Sequence, residues 1–292
     1  MNNKGTIALL IDGLDWRIVQ KNNYKNLMQA SYGTTDLSRY EILHSMIIWA
    51  EWLTGKNMEK QLAETLYEFK FRLPFVDRLK IRVPVRLGRF MEKKMWKEDR
   101  LGRMLSKLSP IRKMMDENIW KVRIPARKTI FRHFENYRAI DVPLFNHDYE
   151  THKEERIAMG EFFNDIHDKQ LLREFESVVW EGYSKNKKEL LDELPENNDL
   201  LVWFTPILDL YGHALICRRE KILKAYKEVD DLVGNVRKQG RFVLIVSDHG
   251  MEKTGRHFGD HSKVGFWSTS EPLLLKRPRL EKLHRIIVKR RA

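Results

Sequence analysis

Candidate metal ligands follow the long apolar runs of this 292-residue chain. Asp12 follows "IALLI"; Asp209 and His213, in "DLYGH", follow "LLVWFTPI"; Asp248 and His249 follow "FVLIVS". His261 comes a little later, in "GRHFGDHSKVGFWS", with His257 as the alternative in the same loop. Carboxylates and imidazoles are hard-to-borderline donors that suit zinc or manganese. Each group alone has a plainer reading. Asp12-Gly13 can be a turn, Asp209/His213 a surface pair at i, i+4, Asp248-His249-Gly250 a capped turn, and a loop histidine simply solvated. Their recurrence at the ends of successive buried strands is what favours a metal site. Ser45 precedes the apolar run "MIIWAEWL" and is either a helix cap or the residue that does the chemistry.

The elements that must position these groups are read from hydrophobic periodicity. "TIALLID" (6–12), "RAIDVPLF" (138–145), "NDLLVWFTPI" and "RFVLIVSDHG" read as buried strands, "TTDLS" and "EPLLLKRP" as short ones. "NYKNLMQASYG" reads as a helix stopping at Gly33, and "WAEWLTG" as one ending near Gly55. "DKQLLREFESVVWEGYSKNKKELLDEL" and "REKILKAYKEVDDLVGNVRKQG" are clearer helices. Strands alternating with helices predict an α/β fold with a mainly parallel central sheet flanked by helices. In such sheets ligands bind beyond the carboxyl ends of the strands.

Net charge is +13, and the stretch from Lys70 to Lys128 holds 19 Lys/Arg against 6 Asp/Glu. Within it and just before it, "MEKQLAETLYEFK" and "FMEKKMWKEDRLGRMLSKL" look helical. Between them "DRLKIRVPVRLGRF" alternates Leu79, Ile81, Val83, Val85 and Leu87 with mostly basic neighbours, an amphipathic strand or hairpin with Pro84 at an edge. Residues 58–129 therefore read as a basic, mostly helical insertion or cap. It sits on a core formed by 1–57 and 130–275, and 276–292 form a basic tail. A single cysteine, Cys217, excludes an intrachain disulfide or cysteine-based metal site. The N-terminus does not read as a secretory signal, and no apolar run reaches the roughly 18 residues of a membrane span. A cytoplasmic address is expected, with peripheral attachment to a membrane surface open.

The order Asp12, Ser45, Asp209-x3-His213, Asp248-His249 and a late histidine resembles the alkaline phosphatase superfamily. Within it the chain is most similar to the type I phosphodiesterase/nucleotide pyrophosphatase branch. Ser45 stands four residues before Trp49 and ten before Gly55, as that branch's nucleophile does relative to its Trp and Thr-Gly. "VSDHGM" is similar to its most recognisable motif, and "RHFGDHSKVGFWS" to its final-histidine loop, whose spacing to "GFWS" favours His261 over His257. "LMQASYG" and "AIDVPL" also look like family segments. Ile47 stands where the branch commonly has Pro, and Ser45 where it more often has Thr.

The resemblance implies an alkaline phosphatase-like core and two divalent ions, zinc or alternatively manganese, about 4 Å apart. Asp209, His213 and His261 would hold one; Asp12, Asp248, His249 and the Ser45 oxygen the other. Ser45 would be the nucleophile and pass through a phosphoserine intermediate. His44, Trp49 and Lys56 are candidate substrate contacts. "SMIIW" lacks the Pro and Arg of a sulfatase, and the insertion is too short and basic for a phosphoglycerate mutase.

The leading expectation is thus a metal-dependent phosphodiesterase acting on an anionic phosphoester, with a nucleotide as one candidate. Phosphomonoester hydrolysis and phosphoryl or nucleotidyl transfer are alternatives within the superfamily. A different class is a protein that binds nucleic acid or an anionic membrane surface through the basic segment. Retention of a candidate at every ligand position favours the enzyme.

Overall fold

Three apolar runs order the molecule: "TIALLI", "LLVWFT" and "FVLIV" form strands whose residues are all buried. Strands covered on both faces need no polar alternation, which is the signature of a parallel sheet under helices. The computed structural model describes residues 5–66, 68–73, 76–82, 119–254 and 257–291. In chain order the strands are β1 (Thr6–Ile11), β2 (Ser31–Thr34), β3 (Glu68–Leu73), β4 (Val76–Arg82), β5 (Tyr137–Ile140), β6 (Leu200–Thr205), β7 (Phe242–Val246), β8 (Gly250–Thr254), β9 (Phe258–Ser262) and β10 (Phe266–Thr269). The helices are α1 (Trp16–Asn22), α2 (Lys25–Met28), α3 (Ser45–Thr54), α4 (Glu59–Leu66), α5 (Tyr149–Asn164), α6 (Lys169–Glu193), α7 (Ile207–Leu215), α8 (Arg219–Arg237) and α9 (Leu280–Lys289).

The central sheet runs β2-β10-β7-β1-β6-β5. β7, β1, β6 and β5 are parallel, whereas β10 is antiparallel to both β7 and β2. Alternate side chains divide between two cores, as the two-residue period of a strand requires. Ile7, Leu9, Ile11, Trp203 and Ile245 pack with Val19, Phe175, Val179 and Val229 of α1, α6 and α8. Ala8, Leu10, Phe204 and Leu244 pack with Ile47 and Leu53 of α3 and Leu283 and Ile287 of α9. The α/β reading with a mainly parallel, helix-flanked sheet is what the structure has.

Several local expectations move. The helix expected through Gly33 is short: α2 ends at Met28, and Ser31–Thr34 pair with β10, so the strand lies ahead of "TTDLS". "EPLLLKRP" is not a strand; its Leu273 and Leu275 touch the core from an irregular segment bounded by Pro272 and Pro278. The last strand is "FWST", buried throughout. In "MEKQLAETLYEFK" the helix stops at Leu66, and Glu68–Leu73 pair antiparallel with Val76–Arg82. That hairpin covers the first half of the alternating stretch; Val83, Val85, Leu87 and "FMEKKMWKEDRLGRMLSKL" lie outside the described residues.

Parts of 58–129 and of the tail belong to the second core: Leu62, Ala63, Ile119 and Ile124 are buried there, as are Leu280, Leu283 and Ile287. α9 lies against α3, and His284 Nδ1 donates to Trp52 O at 2.7 Å. Among the described residues no helix is long and apolar enough to cross a membrane.

Candidate active site

The parallel strands β1, β6 and β7 deliver their polar residues to one edge. Asp12 directly follows β1, Asp209 and His213 lie on α7 just after β6, and Asp248 and His249 follow β7. His261 comes from β9, in the β8–β9 hairpin that returns across this edge. Ser45 is the first residue of α3, and Asp12, Asp248 and His249 are almost wholly buried.

Ser45 is not the helix cap. His44 holds that place with extended backbone, and its Nδ1 accepts Met46 N–H at 3.2 Å. A ring nitrogen that accepts leaves the proton of a neutral imidazole on Nε2. Burial first, then His261 and His249, lower His44 to about 3, so the ring is neutral at pH 7. Ser45 Oγ is free of capping duty and lies 3.2 Å from Asp12 Oδ1 and 3.2 Å from His249 Nε2.

Around it the expected ligands converge. His249 Nε2 is 3.2 Å from Asp12 Oδ1, 3.3 Å from Asp248 Oδ2 and 3.7 Å from Asp209 Oδ1. Asp209 Oδ1 is 3.2 Å from His213 Nε2 and 3.4 Å from His261 Nε2. Each imidazole rests its Nδ1 on a backbone carbonyl: His213 on Gly259 at 2.9 Å, His261 on Leu43 at 2.8 Å, His249 on Gly250 at 3.0 Å. A carbonyl only accepts, so Nδ1 carries the proton and Nε2 presents a lone pair, the arrangement of metal-binding histidines. Asp209 Oδ1 and Asp248 Oδ2 are buried with no hydrogen-bond donor although imidazole nitrogens surround them. The donor set and these orphaned oxygens fit divalent cations.

The electrostatics agree. Burial opposes charging His261, but Asp209 outweighs it and raises the ring to about 9. Burial pushes Asp209 up, yet His213 and His261 hold it well below the usual carboxylate range. Burial and neighbouring Asp12 push Asp248 well above that range. The pocket attracts positive charge and resists three carboxylates ionised together, a conflict that cations remove.

The other expected contacts differ in where they stand. Trp49 is 1% exposed and packs edge-on against Phe204, so no indole face is open to a base; its Nε1–H points at Asp12 Oδ2 from 3.5 Å. Lys56 lies beyond the other end of α3, about 16 Å from Ser45 along the axis at 1.5 Å per residue, with an exposed side chain. That distance separates it from Ser45. His257 lies beside His167 and lines a separate cavity with Phe162, Leu215 and Cys217. It is His261 that joins Asp209.

Sequence reading missed the residues that lock the loops. Gly13 has φ 70, and a Cβ there would stand 2.7 Å from Asp209 Cα. Asp15 caps α1 and also accepts Met251 N–H at 3.0 Å, tying the loop after β1 to β8. Ser247 Oγ accepts Leu14 N–H at 3.0 Å and donates to His249 O at 2.6 Å. An Asp three residues before Ile18 was a readable cap signal; its tie to Met251 was not, being 236 residues away.

A comparison with curated proteins yields no match. The family model described as type I phosphodiesterase / nucleotide pyrophosphatase matches residues 92–270. The match takes in Asp209, His213, Asp248, His249 and His261 and starts within the basic segment, downstream of Asp12 and Ser45. β1 and α3 carry those two residues to the same edge. Matched over more than half its length, the chain belongs to the type I phosphodiesterase/nucleotide pyrophosphatase family, in the alkaline phosphatase superfamily.

Proposed function

We propose that the chain is a metal-dependent phosphodiesterase in which Ser45 is the nucleophile. The observation that carries this reading is the placement of Ser45 Oγ, 3.2 Å from both Asp12 Oδ1 and His249 Nε2 at the start of α3. Asp209, His213 and His261 would hold one cation; Asp12, Asp248, His249 and Ser45 Oγ the other. Zinc suits this donor set, and manganese is the alternative. Bound there, divalent cations supply Lewis acidity, lowering the pKa of the serine hydroxyl and offsetting charge on the phosphoryl oxygens.

Ser45 Oγ releases its proton to solvent and forms a bond to phosphorus while the bond to one alkoxide breaks. That alkoxide leaves with a proton from solvent, and the phosphoryl group, still carrying its second ester, remains on Ser45 as the covalent phosphoserine-type intermediate. Water then attacks phosphorus, the Ser45–phosphorus bond breaks, and the serine regains a proton. The amino end of α3 directs the positive end of its dipole at the phosphate on Ser45. Neutral His44, with its proton on Nε2, is a donor for a substrate oxygen. The chain's net charge of +13 favours association with an anionic ester such as a nucleotide.

The test is hydrolysis of bis-p-nitrophenyl phosphate against p-nitrophenyl phosphate, before and after chelation and with zinc or manganese restored. Metal-dependent cleavage with preference for the diester, lost in Ser45→Ala, supports the reading. Full activity in Ser45→Ala sinks the nucleophile assignment, and preference for the monoester moves the enzyme to the phosphatases.

A further inference from the structure

Beyond the carboxyl end of β5 lies a second buried group of histidines and carboxylates that the proposed chemistry does not use. Asp141, His147, His152 and Glu155 are 7%, 3%, 3% and 2% exposed. Asp141 follows β5 directly, as Asp12 follows β1. The loop after it is held in an unusual shape: Asp141 and Leu144 have φ of 56° and 63°. For residues with a Cβ this left-handed region is disfavoured and persists only where the surroundings impose it. Here Asn146 imposes it, accepting Val142 N–H at 2.8 Å and donating to Ala139 O at 2.7 Å.

Within the cluster His152 Nδ1 is 2.6 Å from Glu155 Oε2, and its Nε2 is 2.6 Å from Asp141 Oδ2. Asn186 Nδ2 donates to the same Asp141 oxygen at 2.7 Å. His147 Nδ1 stands 3.3 Å from Asp141 Oδ1, yet both nitrogens of His147 are buried with no hydrogen-bond partner. An imidazolium shared between Asp141 and Glu155 would account for His152. It leaves His147 unexplained, because buried polar atoms are almost always paired.

We propose that Asp141, His147 and His152 form a further divalent-cation site, sharing no residue with the Ser45 centre, and that zinc is the fitting ion. Their donor atoms lie within 4.8 Å of one another. Glu155 behind His152, and Asn186 behind Asp141, are the outer partners that orient metal ligands and fix the imidazole tautomer. A tetrahedral zinc with bonds near 2.1 Å separates its ligands by about 3.3 Å, the spacing His147 and Asp141 already have. His147 and His152 are stacked, with centroids 4.1 Å apart and planes within 6°. Sharing an ion therefore requires one ring to tilt. His147 is the ring to do so: among the described residues it makes no hydrogen bond, and what surrounds it is Asp141 Oδ1 at 3.3 Å and the rings of His152, Trp120 and Phe204.

The test compares zinc content per full-length chain after chelator stripping, equilibration with zinc and desalting. His147→Phe keeps an aromatic ring in the stack and removes the donors; it should carry one ion fewer than wild type. Asp209→Asn, which disturbs only the Ser45 centre, should keep this ion, so failure of the two readings is separable. Equal zinc content in wild type and His147→Phe overturns the proposal. Should that variant fail to fold, anomalous diffraction at the zinc edge from wild-type crystals grown with zinc decides alone. A peak between Asp141, His147 and His152 supports the site; its absence, whatever is seen at Asp209, overturns it.

Discussion

His213 and His261 point their Nε2 atoms at each other across 2.9 Å, while each Nδ1 is committed to a backbone carbonyl. Without a cation a proton on His261, which Asp209 favours, can fill that gap; a divalent cation held by the two imidazoles and Asp209 would take its place. Chelation should therefore lower thermal stability and zinc should restore it. At one hundred times the dissociation constant the gain is about 2.7 kcal/mol. The measurement is a melting curve with and without EDTA. His261→Ala should show a smaller zinc-dependent rise than wild type and His257→Ala the full one; the reverse would reassign the ligand.

Among the described residues the Ser45 hydroxyl bonds only to groups of this site, Asp12 and His249 at 3.2 Å and Asp248 beside them, so Ser45→Ala should fold normally. Losing a nucleophile should lower kcat by at least about 1,000-fold. Ser45→Thr keeps a hydroxyl and should retain far more. Steady-state rates on a diester, beside circular dichroism of each variant, separate chemistry from misfolding.

Gly13 is where the turn after β1 meets α7. With φ 70 and a Cβ position 2.7 Å from Asp209 Cα, Gly13→Ala forces backbone apart at two ligands together. A loss of about 1–3 kcal/mol in stability and weaker metal binding are expected. Urea unfolding of the metal-free chain and zinc titration would each register the change.

The buried strands and the groups after them were readable because parallel strands are apolar on both faces, and a polar residue closing such a run stands out. Asp12, Asp209 and Asp248 are of this kind. Asp141 ends β5 in the same way, but its neighbours His147 and His152 belong to a loop and a helix, and only folding brings them together. β2 was misplaced because a half-exposed edge strand takes its register from β10, 232 or more residues later in sequence. The role of α9 escaped because the segment from 276 stands out by its Lys and Arg, while Leu280, Leu283 and Ile287 share the buried face. Trp49 and Lys56 look alike as polar-tipped residues near Ser45. Helix geometry buries one and carries the other away.

α9 supplies a pH dependence that does not involve the proposed metal site. His284 Nδ1 donates to Trp52 O, and burial lowers the ring's pKa despite that bond, with His133 and Arg132 adding to the effect. The folded chain thus binds this proton less readily than the unfolded chain, whose value is near 6.5. The stabilisation is full above pH 6.5 and is lost as pH falls through the lower folded value. Urea midpoints of the metal-free chain should fall between pH 7 and pH 5, and by less in His284→Phe. Equal slopes would remove His284 as a cause.

Glu51, on the same helix as Ser45, is wholly buried and holds three groups at once. Arg39 pairs with it, Tyr40 OH donates to it, and Glu281 N–H at the start of α9 donates at 3.1 Å. Replacing a buried ion pair by matched apolar residues is often neutral, but removing one partner strands the other. Arg39 is only 21% exposed through its side chain, and among the described residues the other carboxylate near it, Glu281, lies 3.7 Å away. Glu51→Ala should cost about 3–5 kcal/mol, and Glu51→Gln less, because an amide oxygen still accepts. The double variant Arg39→Met/Glu51→Leu should recover much of the loss. Since Glu51 sits nearly two turns from Ser45, kcat of the folded fraction should change little while its unfolding midpoint drops. A kcat that fell in step with stability would mean that this clamp also sets the position of Ser45.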